Sequence, residues 1–261
     1  MELTFLNYSY HEKMISFNIE SGTILGVTGN VTKDLMNILS LKQLNKGQVN
    51  VNNIKITKDN IYNYQKKIVT ITSDLKTSQL NILNHMTEYI KIHNLVIKDP
   101  IKKIKDSLKI VELKEEILTR NIKTLSQSEK KLIQIAISLL SNPEIIIIEE
   151  PFKFLDKYNE KKIIMLFQRL KEQFNKTIII ISNDSNILYK YTNNMLFIKE
   201  NEIILSGPTN ETYLRVDYLK RNKFEIPDIV QFTYLAKKNK KVKIDYHKDI
   251  RDIIKDIYKH I

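Results

Sequence analysis

The chain has 261 residues, 42% of them hydrophobic, and a formal net charge of +12. That length accommodates one large α/β domain with appended elements, and no apolar stretch reaches the roughly 18–20 residues that a membrane-spanning helix needs. The absence of cysteine excludes disulfides, thiolate zinc sites and thiol catalysis, and the five histidines lack close ligand spacing, so any metal must be held by oxygen. The positive charge suits nucleic acid or an anionic membrane. Only five arginines (Arg120, Arg169, Arg215, Arg221, Arg251) stand among abundant Lys, Asn and Ile, which reads as compositional drift, and no nucleic-acid partner is expected. Met1-Glu2-Leu3-Thr4 has no basic stretch leading into an apolar one, so the expectation is a cytoplasmic protein.

In chain order, 3–10 and 15–19 alternate apolar and polar residues, as antiparallel strands with one wet face do. Ile24-Leu25-Gly26-Val27 reads as a buried strand, and from Lys33 the residues Leu35, Met36, Ile38 and Leu39 recur at helical spacing. Strand, glycine loop and helix in that order form a setting for phosphate binding. Residues 84–140 are helical in pattern with a break at Asp99-Pro100. A strand (144–148), a helix (157–173), a strand (177–182), a helix (183–191) and two short strands (195–198 and 202–205) follow, and 210–261 returns to helix. The alternation predicts an α/β fold with a largely parallel sheet.

The loop Gly26-Val27-Thr28-Gly29-Asn30-Val31-Thr32-Lys33-Asp34 carries the two leading glycines of a phosphate loop, GxxGxGK[ST]. In the ungapped register fixed by Leu35, Met36 and Leu39, Val31 takes the third glycine position, Thr32 the lysine position and Lys33 the position of the Mg-binding hydroxyl. Val31 disfavours the positive φ that glycine permits, Thr32 removes a charge from the phosphates, and Lys33 puts a cation where a divalent ion would be ligated. With a lengthened loop, Lys33 becomes the phosphate ligand instead.

Leu125-Ser126-Gln127-Ser128-Glu129-Lys130-Lys131 precedes a helix, and Pro143-Glu144 with four isoleucines leads into Glu149-Glu150-Pro151. Here the chain resembles the ABC transporter ATP-binding family, in which a signature LSGGQ opens a helix and an apolar strand ends in a Mg-binding carboxylate and a catalytic glutamate before a D-loop. Leu125 and Ser126 match the signature, whereas Gln127 and Ser128 replace its glycines and Glu129 its glutamine. Glu149 stands for the Mg-binding aspartate, Glu150 matches the catalytic glutamate, and Leu155-Asp156 matches the end of the D-loop. Asn183 stands for the switch histidine. Tyr10 falls where an aromatic residue stacks on adenine, Ser73 takes the position of the Q-loop glutamine, and Gln79 lies displaced from it. All five glycines fall at positions where the family has them.

The resemblance covers about 2–210, and Phe224 to Phe232 with Leu235 is similar to the C-terminal helical region of energy-coupling-factor ATPases. It implies an ABC-type P-loop NTPase over 1–210, with a mixed core sheet, a helical subdomain at about 84–140 and a C-terminal helical extension at 211–261. It further implies ATP and Mg²⁺ as cofactors, and as partners a second ABC ATPase subunit, identical or related, and an integral membrane subunit. The place implied is the inner face of the cell membrane, and the task is uptake of a small solute such as a vitamin or metal ion. The lost motif residues predict a degenerate ATP site with weak or absent hydrolysis. The alternatives are a structural pseudo-ATPase that completes a dimer, and a soluble ABC protein acting on ribosomes or DNA.

Overall fold

The computed structural model describes residues 1–31, 33–72, 80–240 and 244–259. Two sheets organise it. The first is antiparallel, in the order β2-β1-β4-β5, and is built from β1 (Leu3–Tyr10), β2 (Lys13–Ile19), β4 (Gln48–Val51) and β5 (Ile54–Lys55). The second holds β3 (Ile24–Gly29), β6 (Ile68–Ile71), β7 (Ile145–Glu149), β8 (Thr177–Ile181), β9 (Asn194–Lys199) and β10 (Glu202–Pro208). Its order is β10-β9-β3-β8-β7-β6, parallel throughout except for the hairpin β9–β10.

The isoleucine runs explain the layering. In β7 and β8, side chains alternate between the two faces of the sheet, and both faces are covered. Ile146, Ile148, Ile178 and Ile180 enter one apolar core together with the helices, while Ile145, Ile147, Ile179 and Ile181 enter a second core against the antiparallel sheet and α1 (Lys33–Leu39). A strand buried on both faces needs a continuous apolar run, which is why these segments do not alternate in sequence.

In the antiparallel sheet the alternation is interrupted. Register shifts between Phe5 and Tyr8 at a bulge where Asn7 takes φ 43°. Leu3 and Phe5 face inward before it, and Tyr8 and Tyr10 after it, all 1% exposed or less. Gly47 lies against this bulge at φ 114°, and a Cβ there would collide with the Asn7 carbonyl and the Tyr8 backbone.

Between β6 and β7 the described chain forms α3 (Ile82–Ile92), α4 (Pro100–Ile110), two 3-10 turns (Glu115–Thr119 and Ile122–Thr124) and α5 (Gln127–Leu139). The expected break is real: Asp99 caps α4 by accepting from the Lys102 N–H at 3.0 Å, and Pro100 occupies its first turn, where a missing N–H costs nothing. The short helix α2 (Ile61–Gln65) precedes β6. Beyond β7 come α6 (Lys157–Phe174) and α7 (Ser185–Tyr191). The latter starts two residues later than its pattern suggests, because Asp184 caps it by accepting from the Ile187 N–H. Four helices end the chain: α8 (Thr209–Tyr213), α9 (Val216–Arg221), α10 (Asp228–Lys240) and α11 (Ile250–Lys259).

Ile179 is fully buried on a central strand. Ile179→Ala is expected to lower stability by about 2–5 kcal/mol, through lost burial and the cavity left behind. Urea denaturation followed by circular dichroism measures it, with the slope unchanged.

Candidate functional site

The parallel strands β3, β7 and β8 end side by side, so the residues that follow them meet. Gly29 closes β3 at φ 104°, a conformation that favours glycine, and a Cβ there would collide with the Ile198 carbonyl of β9. The loop then passes Asn30 and Val31 and enters α1 at Lys33; Thr32 lies outside the described residues.

The described amides of this turn have acceptors within the protein. The Gly29 N–H donates to Asn183 Oδ1 at 3.0 Å, and the Thr28 hydroxyl donates to the same oxygen at 3.1 Å. The Asn30 N–H donates to the Ile198 carbonyl at 3.2 Å and the Val31 N–H to the Gly29 carbonyl at 2.9 Å. Lys33 and Asp34 are exposed, and Asp34 faces His11 at 3.6 Å.

Glu150 follows β7 at φ 41°. The Ser182 hydroxyl donates to its Oε2 at 2.9 Å and the Asn183 N–H to its Oε1 at 3.3 Å, while the Glu150 N–H donates to the Ile181 carbonyl at 2.8 Å. Asn183 therefore joins Gly29 to Glu150, its side chain holding one and its backbone the other. Glu149 ends β7 half-buried, and its carbonyl accepts from the buried Lys131 side chain at 3.5 Å.

Several expected site residues have other placements. The bulge at Asn7 turns Tyr10 inward, and at 1% exposure its ring offers no face to a base. The exposed ring beside it is His11, 4.8 Å away between centroids. Ser73 and Gln79 lie outside the described residues. Asp156 caps α6, accepting from the Asn159 N–H at 2.8 Å and from its side-chain amide at 2.9 Å; these bonds hold its carboxyl below the usual range. Leu125 is buried, and Gln127 and Ser128 form the first turn of α5.

Ser126 and Glu129 form a capping box. The Glu129 N–H donates to Ser126 Oγ at 3.2 Å and the Ser126 N–H to Glu129 Oε2 at 2.8 Å. Arg120 donates to Glu129 Oε1 at 2.6 Å and to the Thr124 carbonyl. The end of α5 thus carries a carboxylate of its own where the positive helix terminus attracts anions.

The residues to which motif resemblance gives no site role are Lys131 and Arg120, together with Asn222 and Lys223 of the C-terminal region. Asn222, Lys223, Phe224 and Glu225 line a cleft of about 470 Å³ beside the glycine loop with Asn30 and Lys199. The Ser-x-x-Glu spacing at 126–129 was the one readable signal, since it marks a helix start irrespective of family.

A strand-loop-helix turn beside a second strand ending in a carboxylate defines an α/β chain of the P-loop class. This chain belongs to the ABC transporter family, whose model matches residues 13–153. It is 24% identical to the energy-coupling factor transporter ATP-binding protein EcfA3 of Oenococcus oeni over 99% of this chain and 97% of that protein. Its fold is similar to that of cbiO1 from Clostridium perfringens, with a TM-score of 0.71 and 22% identity over 89% of this chain and 98% of the other. It is also similar to the ATP-binding cassette MJ0796 of Methanocaldococcus jannaschii in its dimeric post-hydrolysis state bound to ADP and Pi, with a TM-score of 0.67 and 21% identity over 79% and 98%.

The family implies nucleotide binding, with Mg²⁺ as the usual companion. The described residues do not fit a phosphate chain in the arrangement present. The Gly29, Asn30 and Val31 amides already have protein acceptors, and Lys33 stands exposed at a helix start. Among the described residues no group of three His, Cys, Asp or Glu is placed to hold a metal ion.

Burial pushes the Glu129 carboxyl up, but hydrogen bonds from Ser126 and Arg120 outweigh it and leave the group below its ordinary value of 4.5. A lowered folded-state value means that the stabilisation is in place above 4.5 and is lost as the pH falls through that lowered value. Glu129→Ala is expected to cost roughly 1 kcal/mol at neutral pH, since Arg120 is largely solvated and adds little. The difference from the unmodified chain should shrink on acidification, as chemical denaturation on either side of pH 4.5 measures.

Proposed function

We propose that this chain is the ATP-binding-cassette subunit of an energy-coupling-factor-type importer, with its own nucleotide site degenerate. It works paired with a second ABC ATPase subunit against an integral membrane subunit, peripheral on the inner face of the cell membrane, and serves uptake of a small solute such as a vitamin or metal ion. Support for the importer class comes from the match to the Oenococcus oeni energy-coupling-factor protein along nearly the whole of both chains, which includes the C-terminal region. No helix among the described residues is long and apolar enough to cross a membrane, so a membrane subunit is a separate chain in this reading.

The observation that carries the degenerate-site reading is the engagement of Asn183 with Gly29 and Glu150. A carboxylate that accepts from the Ser182 hydroxyl and the Asn183 N–H is oriented by its own chain. Lys33 in the position of a metal-ligating hydroxyl opposes a divalent ion electrostatically. The same network favours a second reading, in which the chain binds no nucleotide and completes an ATPase dimer structurally.

Co-purification in mild detergent tests the importer role, with a second ATPase and a membrane subunit as the expected companions and their absence counting against it. The isolated chain is expected to hydrolyse ATP about a hundred- to thousandfold more slowly than ABC subunits with complete motifs, the cost of losing even one preorganised charge-stabilising contact. Glu150→Gln should leave this residual rate nearly unchanged. Robust turnover abolished by that substitution would reject the degenerate site. A rise in melting temperature with MgATP separates a binding subunit from a purely structural one, because only a ligand of the folded state stabilises it.

A further inference from the structure

We propose that Asn183 is the resident occupant of the glycine loop: its carboxamide oxygen holds Gly29 where a phosphate oxygen would sit, and locks the loop and Glu150 into one unit. The inference deepens the degenerate-site reading and rests on it. The Asn183 oxygen accepts from the Gly29 N–H at 3.0 Å and from the Thr28 hydroxyl at 3.1 Å, so one side-chain atom serves two donors of the turn. Its own backbone N–H donates to Glu150 Oε1 at 3.3 Å, and the neighbouring Ser182 hydroxyl takes Oε2 at 2.9 Å. Ser182 in turn accepts from the Asp184 N–H at 3.2 Å, which ties the group to the start of α7.

These contacts join the ends of three adjacent parallel strands, β3, β7 and β8, through the side chain and backbone of Asn183 and the hydroxyl of Ser182. The remaining described loop amides, Asn30 and Val31, have backbone acceptors. An incoming phosphate must therefore displace Asn183 before it reaches Gly29, and that displacement leaves a carboxamide oxygen and a phosphate oxygen competing for one N–H. A neutral amide oxygen is a weaker acceptor than a phosphate. Its advantage is attachment: it is delivered by the same chain, with no loss of translational freedom.

Hydrogen exchange at the Gly29 amide reads the lock directly, because that amide lies in a partly exposed turn and its protection depends on its acceptor. In the nucleotide-free chain Gly29 is expected to be protected. Asn183→Leu, which keeps the bulk and removes the oxygen, should speed its exchange by about tenfold, with β7 and β8 unchanged. Asn183→Asp, which keeps an acceptor oxygen, should restore much of the protection, a rescue that a merely space-filling role would not give.

The lock is overturned if Gly29 exchanges freely in the unmodified chain, or if Asn183→Leu leaves its rate as it was. It is also overturned if Asn183→Asp exchanges as fast as Asn183→Leu. The degenerate-site reading fails separately, through tight MgATP binding by the unmodified chain in titration calorimetry, whatever the exchange rates in the absence of nucleotide.

Discussion

The central constraint is a sheet buried on both faces. Because β7 and β8 send alternate isoleucines into two different cores, neither strand can slide by one residue without exchanging the two sets of side chains. Fixed register fixes the strand ends, and the strand ends carry the chemistry. Glu149 pairs with Ile181 in the parallel ladder and Gly29 with Ile198, so the turns leaving β3, β7 and β8 are held within hydrogen-bonding distance of one another. The position of Glu150 and Asn183 beside the glycine loop is a consequence of apolar packing in the strands that lead to them.

On that scaffold, the groups that face the loop satisfy one another. A buried or half-buried polar group without a partner costs more than a typical hydrogen bond contributes, and the described turn amides have acceptors within the protein. Here Asn183 and the Ile198 carbonyl supply them. The same logic operates at the start of α5, where Glu129 closes the helix terminus with its own carboxylate and Arg120 neutralises it. Both ends are coherent local structures held by contacts within the protein.

Much of this was legible in the sequence, and the reason is periodicity. The isoleucine runs, the alternation of 15–19 and the helical spacing from Lys33 are local patterns that tertiary structure reinforced. Asp99-Pro100 marked a break between helices by its chemistry alone. What was not legible depended on departures from period. One bulge at Asn7 reverses which residues of β1 face inward, and it removes Tyr10 from the surface although its position along the chain matches the family. The acceptor role of Asn183 was likewise hidden, because it joins Gly29 to a residue far along the chain through a side-chain torsion that no spacing specifies. The hairpin partner β5 and the helix α2 were too short to leave a pattern.

Phe224 gives the C-terminal region a stake in the same turn. Its ring meets Phe197 edge-on at 5.2 Å between centroids, and it stands 3.0 Å from where a Cβ on Gly29 would be. Lys199 ties the adjoining Asn222 to β9 at 3.1 Å. The glycine at 29 is required by its own backbone twist and by the Ile198 carbonyl of β9, and the aromatic ring contributed from the C-terminal region narrows the same space from another side. Sequence drift is constrained unequally at the two places: a larger residue at 29 is barred by the β9 backbone whatever stands at 224, whereas a smaller residue at 224 would open a void on the loop's flank that water or a bulkier neighbour could enter.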